Sequence, residues 1–173
     1  PERGALRVFR FPADSSKDFV NRVVAVAGDR VLVRPDGVVE RNGQALPRCA
    51  LGAWPGAVGD AGALDAFMEK DGDRRYVVLQ GRAAASDAAP ERCVREACVV
   101  PAGHVLTLGD NRDNSYDGRY WGFVPVDNLR AGPRWIVAAS EDADARRFTD
   151  PQVEVPVPGA LRAAWEACRA QLR

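Results

Sequence analysis

The chain has 173 residues, with 24 basic and 24 acidic side chains and a formal net charge of zero. Apolar residues make up 46% and charged residues 28%, the composition of a folded chain and not of a disordered one. The length suits one domain, or one core with a sizeable insertion. Balanced charge argues against a nucleic-acid partner, which would require a basic surplus or stripe. The longest apolar runs, such as Val23–Ala27, fall far short of the roughly 20 residues of a membrane-spanning helix, and there is no signal-peptide pattern. The chain opens on Pro1 instead of Met, so it is expected to be a piece of a longer product.

Leu6, Val8, Phe9 and Phe11 predict a strand that ends at Pro12, and residues 13–18 read as a turn. Phe19 to Ala27 is β-branched and apolar, and Gly28-Asp29 closes it. Val31–Val33 and Val38-Val39 flank Pro35-Asp36-Gly37, a hairpin signal, and Arg41-Asn42-Gly43-Gln44 is a second turn. Residues 48–98 change in character, being rich in Ala, Gly, Asp and Arg. They show one clear strand, Arg75–Gln80, and read as an inserted β subdomain with long loops. Trp54, Phe67 and Tyr76 are expected to form its own small core, and residues 83–92 to be mobile. Strand patterns return at Val105–Leu108, Phe123-Val124 and Trp135–Ala138. Residues 141–151 read as a charged connection. Gly159–Leu172 reads as a helix with Leu161, Trp165, Cys168 and Leu172 on one packing face.

Four cysteines allow three disulfide pairings. Cys93 and Cys98 are candidates for a short local disulfide in an oxidising compartment. A metal site is not expected, because His104 is the one histidine and there is no second paired cysteine motif. His104 reads as structural. Lysines number two, Lys17 and Lys70, so any chemistry that needs a lysine has few candidates.

The densest polar cluster is Gly109-Asp-Asn-Arg-Asp-Asn-Ser-Tyr-Asp-Gly-Arg-Tyr-Trp-Gly122. Eight of its fourteen residues are Asp, Asn, Arg or Ser, enough for a dense hydrogen-bond and ion-pair network. Asp113, Ser115, Asp117 and Gly118 match the first positions of a calcium loop, but Val124 stands where a bidentate Glu is required. The metal reading is therefore weak.

This segment, followed by Phe123-Val-Pro125, resembles the C-terminal signature of bacterial type I signal peptidases (leader peptidase, peptidase family S26). Val100-Pro-Ala-Gly-His104 matches the approach to that motif. Asp18-Phe-Val-Asn-Arg-Val-Val-Ala-Val-Ala-Gly-Asp29 is similar to the family's lysine motif, and Arg3-Gly4 with Val8-Phe9 to the strand before it. The resemblance covers roughly residues 3–40 and 99–139, in the family's order, with an insertion between. It implies a mainly β fold: a signal-peptidase/LexA-like core over 1–40 and 99–150, an inserted β subdomain over 41–98, and a C-terminal helical tail over 151–173.

The family is made of membrane-anchored serine proteases that face the periplasm or cell exterior and cut signal peptides from exported preproteins with a Ser-Lys dyad. The lysine must be neutral to take the serine proton, so it must be buried against apolar groups. Carried over, Asp18, Phe19 and Val20 match the strand that pairs with the signal peptide. Ser115 matches the serine that positions the lysine. Arg22 is expected to pair with Asp110, and Asp117 with Arg119, as structural ion pairs. No cofactor is implied. The membrane partner would be reached through an anchor upstream of Pro1, at the bacterial inner (cytoplasmic) membrane.

Two departures follow. The nucleophile belongs to a Ser-Met-x-Pro-type motif that precedes residue 3 in family order and does not occur in this sequence; Ser15 and Ser16 do not match it. The lysine position is Asn21, and an amide cannot accept a serine proton at neutral pH. Lys17, four residues away or about 13 Å along a strand, and Lys70, in the insertion, are poor substitutes. Lesser departures are Ala5, Ala27 and Gly118. The expectation is a signal-peptidase-like domain without catalytic activity as it stands, a pseudoenzyme. The alternative is a module that binds preproteins without cutting, or serves in assembly of a membrane complex. The peptide-binding reading predicts that Phe19 and Val20 line an open apolar groove beside an unpaired strand edge.

Overall fold

The computed structural model describes residues 1–55, 63–81, 92–132 and 157–173, with two short strand segments at 136–137 and 148–149. The expected mobile loop at 83–92, Arg92 apart, lies outside the described residues. The chain is mainly β. In order it forms β1 (Leu6–Arg10), β2 (Asp18–Val26), β3 (Arg30–Val33), β4 (Val39–Arg41), β5 (Gln44–Ala45), β6 (Arg48–Ala53), β7 (Leu64–Asp71), β8 (Arg74–Gly81), β9 (Cys98–Val99) and β10 (His104–Leu108). A one-turn helix α1 (Gly118–Trp121) follows, then β11 (Val124–Pro125), β12 (Leu129–Ala131), β13 (Ile136–Val137), β14 (Phe148–Thr149) and α2 (Arg162–Gln171).

The main sheet has the order β11-β10-β2-β1-β12. Its central strand β2 combines β-branched and aromatic residues, which suit a pleated buried surface. β2 is longer than either neighbour: β1 pairs with Asp18 to Arg22 and β10 with Arg22 to Val26. A bulge at Val24 breaks the β2–β10 register and re-aims the side chains on either side of it. A second sheet, β5-β4-β3-β9, grows from two tight turns. Gly37 (φ +72°) closes β3–β4, and Asn42 (φ 54°) with Gly43 (φ +79°) closes β4–β5, the positive dihedrals that hairpin turns require.

The third sheet is β6-β7-β8, three antiparallel strands where the sequence reads one. β7 escapes the pattern because it carries Glu69, Lys70 and Asp71, residue types depleted in strands. Two of the three are buried and neutralised by arginines distant in sequence: Asp71 by Arg41 at 2.6 Å and Glu69 by Arg112 at 2.7 Å. Both faces of this sheet are covered. One carries Ala66, Met68 and Val77 against Leu161, Trp165 and Cys168 of the C-terminal segment. The other carries Glu69, Tyr76 and Val78, all buried, toward the rest of the molecule. This corrects the expected Trp54–Phe67–Tyr76 core. Trp54 packs on the helix side, Phe67 lies under the Arg48 guanidinium, and Tyr76 faces Arg22. The connection expected at 141–151 is corrected too, since Phe148–Thr149 pairs with Ile136–Val137; residues 141–147 lie outside the described residues.

Two further hydrophobic clusters complete the core. Val24, Ala25, Val31, Val33, Val39, Leu106 and Leu108 pack between the main sheet and the second sheet. Phe9, Val23, Val105 and Val124 pack on the opposite face with Phe19 and Trp121. All four cysteines are paired, Cys93 with Cys98 and Cys49 with Cys168. The second link fixes α2 to β6 across 119 residues.

A disulfide stabilises mainly by restricting the unfolded chain, and more for a longer loop. Replacing Cys49 and Cys168 together by Ala should cost about 2–5 kcal/mol in urea unfolding, and replacing Cys93 and Cys98 should cost less. In the β1–β2 turn, the Ser16 hydroxyl first and Lys17 second hold the Asp14 carboxyl down at about 2. Its folded value lies below the unfolded one, so its contribution is complete above about pH 4 and is lost as pH falls toward 2. A carboxyl NMR titration should place the Asp14 midpoint near 2.

Candidate functional site

The site is built around the point where β2 changes neighbours. Arg22 and Asn21 are adjacent in β2, so they face opposite sides of the sheet. Arg22 is 1% exposed. Its Nε and Nη2 donate to both Asp110 oxygens at 2.8 and 2.7 Å, and its Nη1 donates to the Gly4 carbonyl at 2.6 Å. Burial disfavours the cation, but the Asp110 carboxylate outweighs it and holds Arg22 above its ordinary range.

Asn21 sits on the other face, between Phe19 and Val23, and is 5% exposed. Across the ladder it stands opposite Arg7, and Phe19 and Val23, two residues away on either side, belong with Phe9 and Trp121 to one apolar cluster. Among the described residues its Nδ2 has no hydrogen-bond partner, and neither does the Oγ1 of Thr107, which is 0% exposed. Thr107 pairs with Val23 and Leu108 with Arg22. The ladder ends there, and Gly109 follows at the end of β10. A side chain at Gly109 would collide with the Oγ and Cβ of Ser115. The glycine therefore lets the Ser115 side chain pack directly against the main chain at residue 109.

The loop from Gly109 to Asp117 is held from within. Asp117 is fully buried and accepts from Gly109 N at 2.9 Å, Arg119 N at 3.2 Å, and Arg119 Nε and Nη2 at 2.8 Å each. It caps α1 and fixes the loop's start and end together. Arg119 Nη2 also donates to the Arg112 carbonyl at 2.5 Å. Of the residues in the calcium-loop pattern, Asp117 caps α1 and pairs with Arg119, and Asp113 accepts from Gly81 N at 2.8 Å.

Asp18, Phe19 and Val20 lie at the start of β2. Beyond Arg22, β10 no longer accompanies this strand, and among the described residues no strand pairs with Asp18–Asn21 on that side. Val20 is 58% exposed. Phe19 points to the other face and stacks with Phe9 and Phe11. Phe19 and Val20 therefore do not line one groove, which corrects that expectation: alternation along a strand separates adjacent side chains. Lys17 is exposed and paired with Asp14 at 3.0 Å, and Lys70 lies in β7. The His104 ring contacts the Ala102 carbonyl at 2.8 Å.

Sequence reasoning missed Thr107, Arg112, Glu69 and Tyr76. Thr107 reads as an ordinary β-branched strand residue, and Arg112 is hidden in a polar run. Glu69 carries a signal, a lone acid following Ala66-Phe-Met68, but its partners are distant in sequence.

The arrangement defines a β-rich domain with a buried polar side chain at a strand edge and a rigid acidic loop across it. The family model "Signal peptidase, peptidase S26" matches residues 1–138; the chain belongs to this family. It is 34% identical to the signal peptidase I of Pseudomonas fluorescens over 146 residues, 75% of this chain and 46% of that protein. It is 30% identical to that of Pseudomonas aeruginosa over 155 residues, 88% and 52%, and 30% identical to that of Aquifex aeolicus over 154 residues, 75% and 60%. The chain thus spans about half the length of the curated relatives it matches. A solved signal peptidase I of Enterococcus faecalis aligns with a TM-score of 0.45 at 20% identity, over 77% of this chain and 96% of that one. Among the described residues no helix is long and apolar enough to cross a membrane.

Removing one partner of a buried ion pair leaves an uncompensated charge. Asp117→Asn should therefore cost about 3–5 kcal/mol, read as a lower urea midpoint, because Arg119 loses a bidentate carboxylate where water does not reach.

Proposed function

We propose that this domain recognises the signal peptides of exported preproteins along the free edge of β2 and, with Asn21 in place of a base, does not cut them. The observation that carries the reading is the strand edge from Asp18 to Asn21. It offers unpaired backbone groups to an extended peptide, the mode of β-strand addition, with the exposed Val20 beside it. Membership of the signal peptidase family supports signal peptides as the class of ligand.

The chemistry at residue 21 separates binding from cleavage. A lysine there would be enclosed by Phe19, Val23 and Thr107, and desolvation would favour its neutral form, the form able to accept a serine proton. Ser115, which matches the family's lysine-positioning serine, would be the group to orient it. Asn21 keeps the place but offers only amide hydrogens and a weakly basic carbonyl. The ion pairs Arg22–Asp110 and Asp117–Arg119 maintain the shape of the site and perform no chemistry. Two disulfides favour an oxidising compartment, in keeping with a domain on the outer side of the bacterial inner membrane and an anchor elsewhere in the protein.

The test compares the full-length natural protein, in detergent with a preprotein substrate, with its Asn21→Lys variant, and reads product masses. The expected outcome is binding without cleavage by the natural protein, with cleavage appearing in the variant where the serine segment is intact. Cleavage by the natural protein would overturn the loss of activity. Failure of both forms to bind the preprotein would overturn peptide recognition and favour an assembly role.

A further inference from the structure

Among the described residues, a group of buried charged side chains outside the motif pairs lies where the third sheet meets the loop 109–117. Glu69, on β7, is 0% exposed. Its Oε1 accepts from Arg112 Nη2 at 2.7 Å and from the Tyr76 hydroxyl at 2.9 Å. The Tyr76 ring lies against the Arg22 guanidinium, 3.7 Å from Cζ to the ring centre. Arg112 Nη1 donates to the Gly37 carbonyl at 2.6 Å. The main chain joins the same two parts: Leu79 N donates to the Asp110 carbonyl and Arg112 N to the Leu79 carbonyl, each at 2.8 Å. Through this pair of bonds β8 holds Asn111 in a parallel bridge with Leu79.

We infer that the third sheet is a working part of the site, with Glu69 and Tyr76 as positioning residues: Glu69 sets the loop 109–117 through Arg112, and Tyr76 sets the Asp18–Arg22 strand through Arg22. Neither residue belongs to the two motifs, and neither reaches the free edge itself. Charges alternate along the chain of contacts, from Asp110 to Arg22, across the Tyr76 ring, to Glu69 and Arg112. A buried guanidinium needs an anionic partner and a fixed direction. Glu69 supplies both to Arg112, and through it fixes the main chain three residues before Ser115. Burial first, and Glu69 second, push the Tyr76 hydroxyl up, so it stays protonated and donates. The cation–π contact is stronger for being desolvated and adds a second direction to the Asp110 pair.

The inference rests on the reading of the β2 edge as a peptide site, and the experiment separates the two. Hydrogen exchange is measured on the full chain and on Glu69→Gln, Tyr76→Leu and Tyr76→Phe. In Glu69→Gln the amides of Leu79 and Arg112 should exchange about tenfold faster, since a hydrogen bond to a charged group is worth at least a decade. The β3–β4 hairpin should keep its protection. Tyr76→Leu should loosen Asp18–Arg22, whereas Tyr76→Phe, which keeps the ring over Arg22, should restore that segment to the natural rate. Uniformly faster exchange would overturn the inference in favour of general stability, as would no change at Leu79 and Arg112. In parallel, a fluorescein-labelled signal peptide is titrated into each form. Weaker binding in Glu69→Gln and Tyr76→Leu than in the natural chain supports the inference, and equal binding overturns it. If the natural chain does not bind the peptide, the peptide-site reading fails and the exchange pattern alone decides the positioning roles.

Discussion

A guanidinium with almost no contact with water, placed in the middle of a strand, is the constraint from which the rest of the site follows. Arg22 cannot be buried unless its charge is balanced and its donors are used. Asp110 meets the first need and brings the start of the acidic loop onto the sheet. The Gly4 carbonyl takes a further donor and ties down the first residues of the chain. The flat face of the cation is covered by Tyr76, which brings in the third sheet. Three segments far apart in sequence are gathered at one side chain. The neighbouring position in β2 must then point to the opposite, apolar face.

That opposite face is where residue 21 acquires its meaning. A polar side chain packed beside Phe19, Val23 and Thr107 costs stability when its donors find no partner, and among the described residues Asn21 Nδ2 finds none. Packing alone would favour an aliphatic residue there. The same burial would favour the neutral form of an amine placed there. The proposal that the domain recognises without cutting takes recognition from the free strand edge and the missing base from Asn21.

The β hairpins were legible because their turns carry local chemistry: Gly37, Asn42 and Gly43 adopt the positive dihedrals that only a few residue types accept. The helix face of Leu161, Trp165, Cys168 and Leu172 was legible for the same reason, since its period is local and all four pack in one cluster. β7 was not, because Glu69 and Asp71 read as surface residues until Arg112 and Arg41 arrive from elsewhere. Tyr76 was placed in the wrong core because alternation along β8 tells which residues share a face and not which face meets Arg22. α1 hid in a polar run, although Asp117 ahead of Gly118-Arg-Tyr-Trp121 is a helix-capping signal. The Cys49–Cys168 link has no sequence signature, since a pairing across 119 residues depends on the packing of α2 against β6.

The spacing of the two disulfides also orders events during oxidative folding. Cys93 and Cys98 are five residues apart, so they can meet as soon as their loop leaves the ribosome or translocon. Cys49 emerges before both and must wait for Cys168, more than a hundred residues behind it. In that interval its thiol is free to attack the local link by thiol–disulfide exchange. Only docking of the final helix removes it from reach. Within these residues the long link can therefore close only after the short one has had time to form.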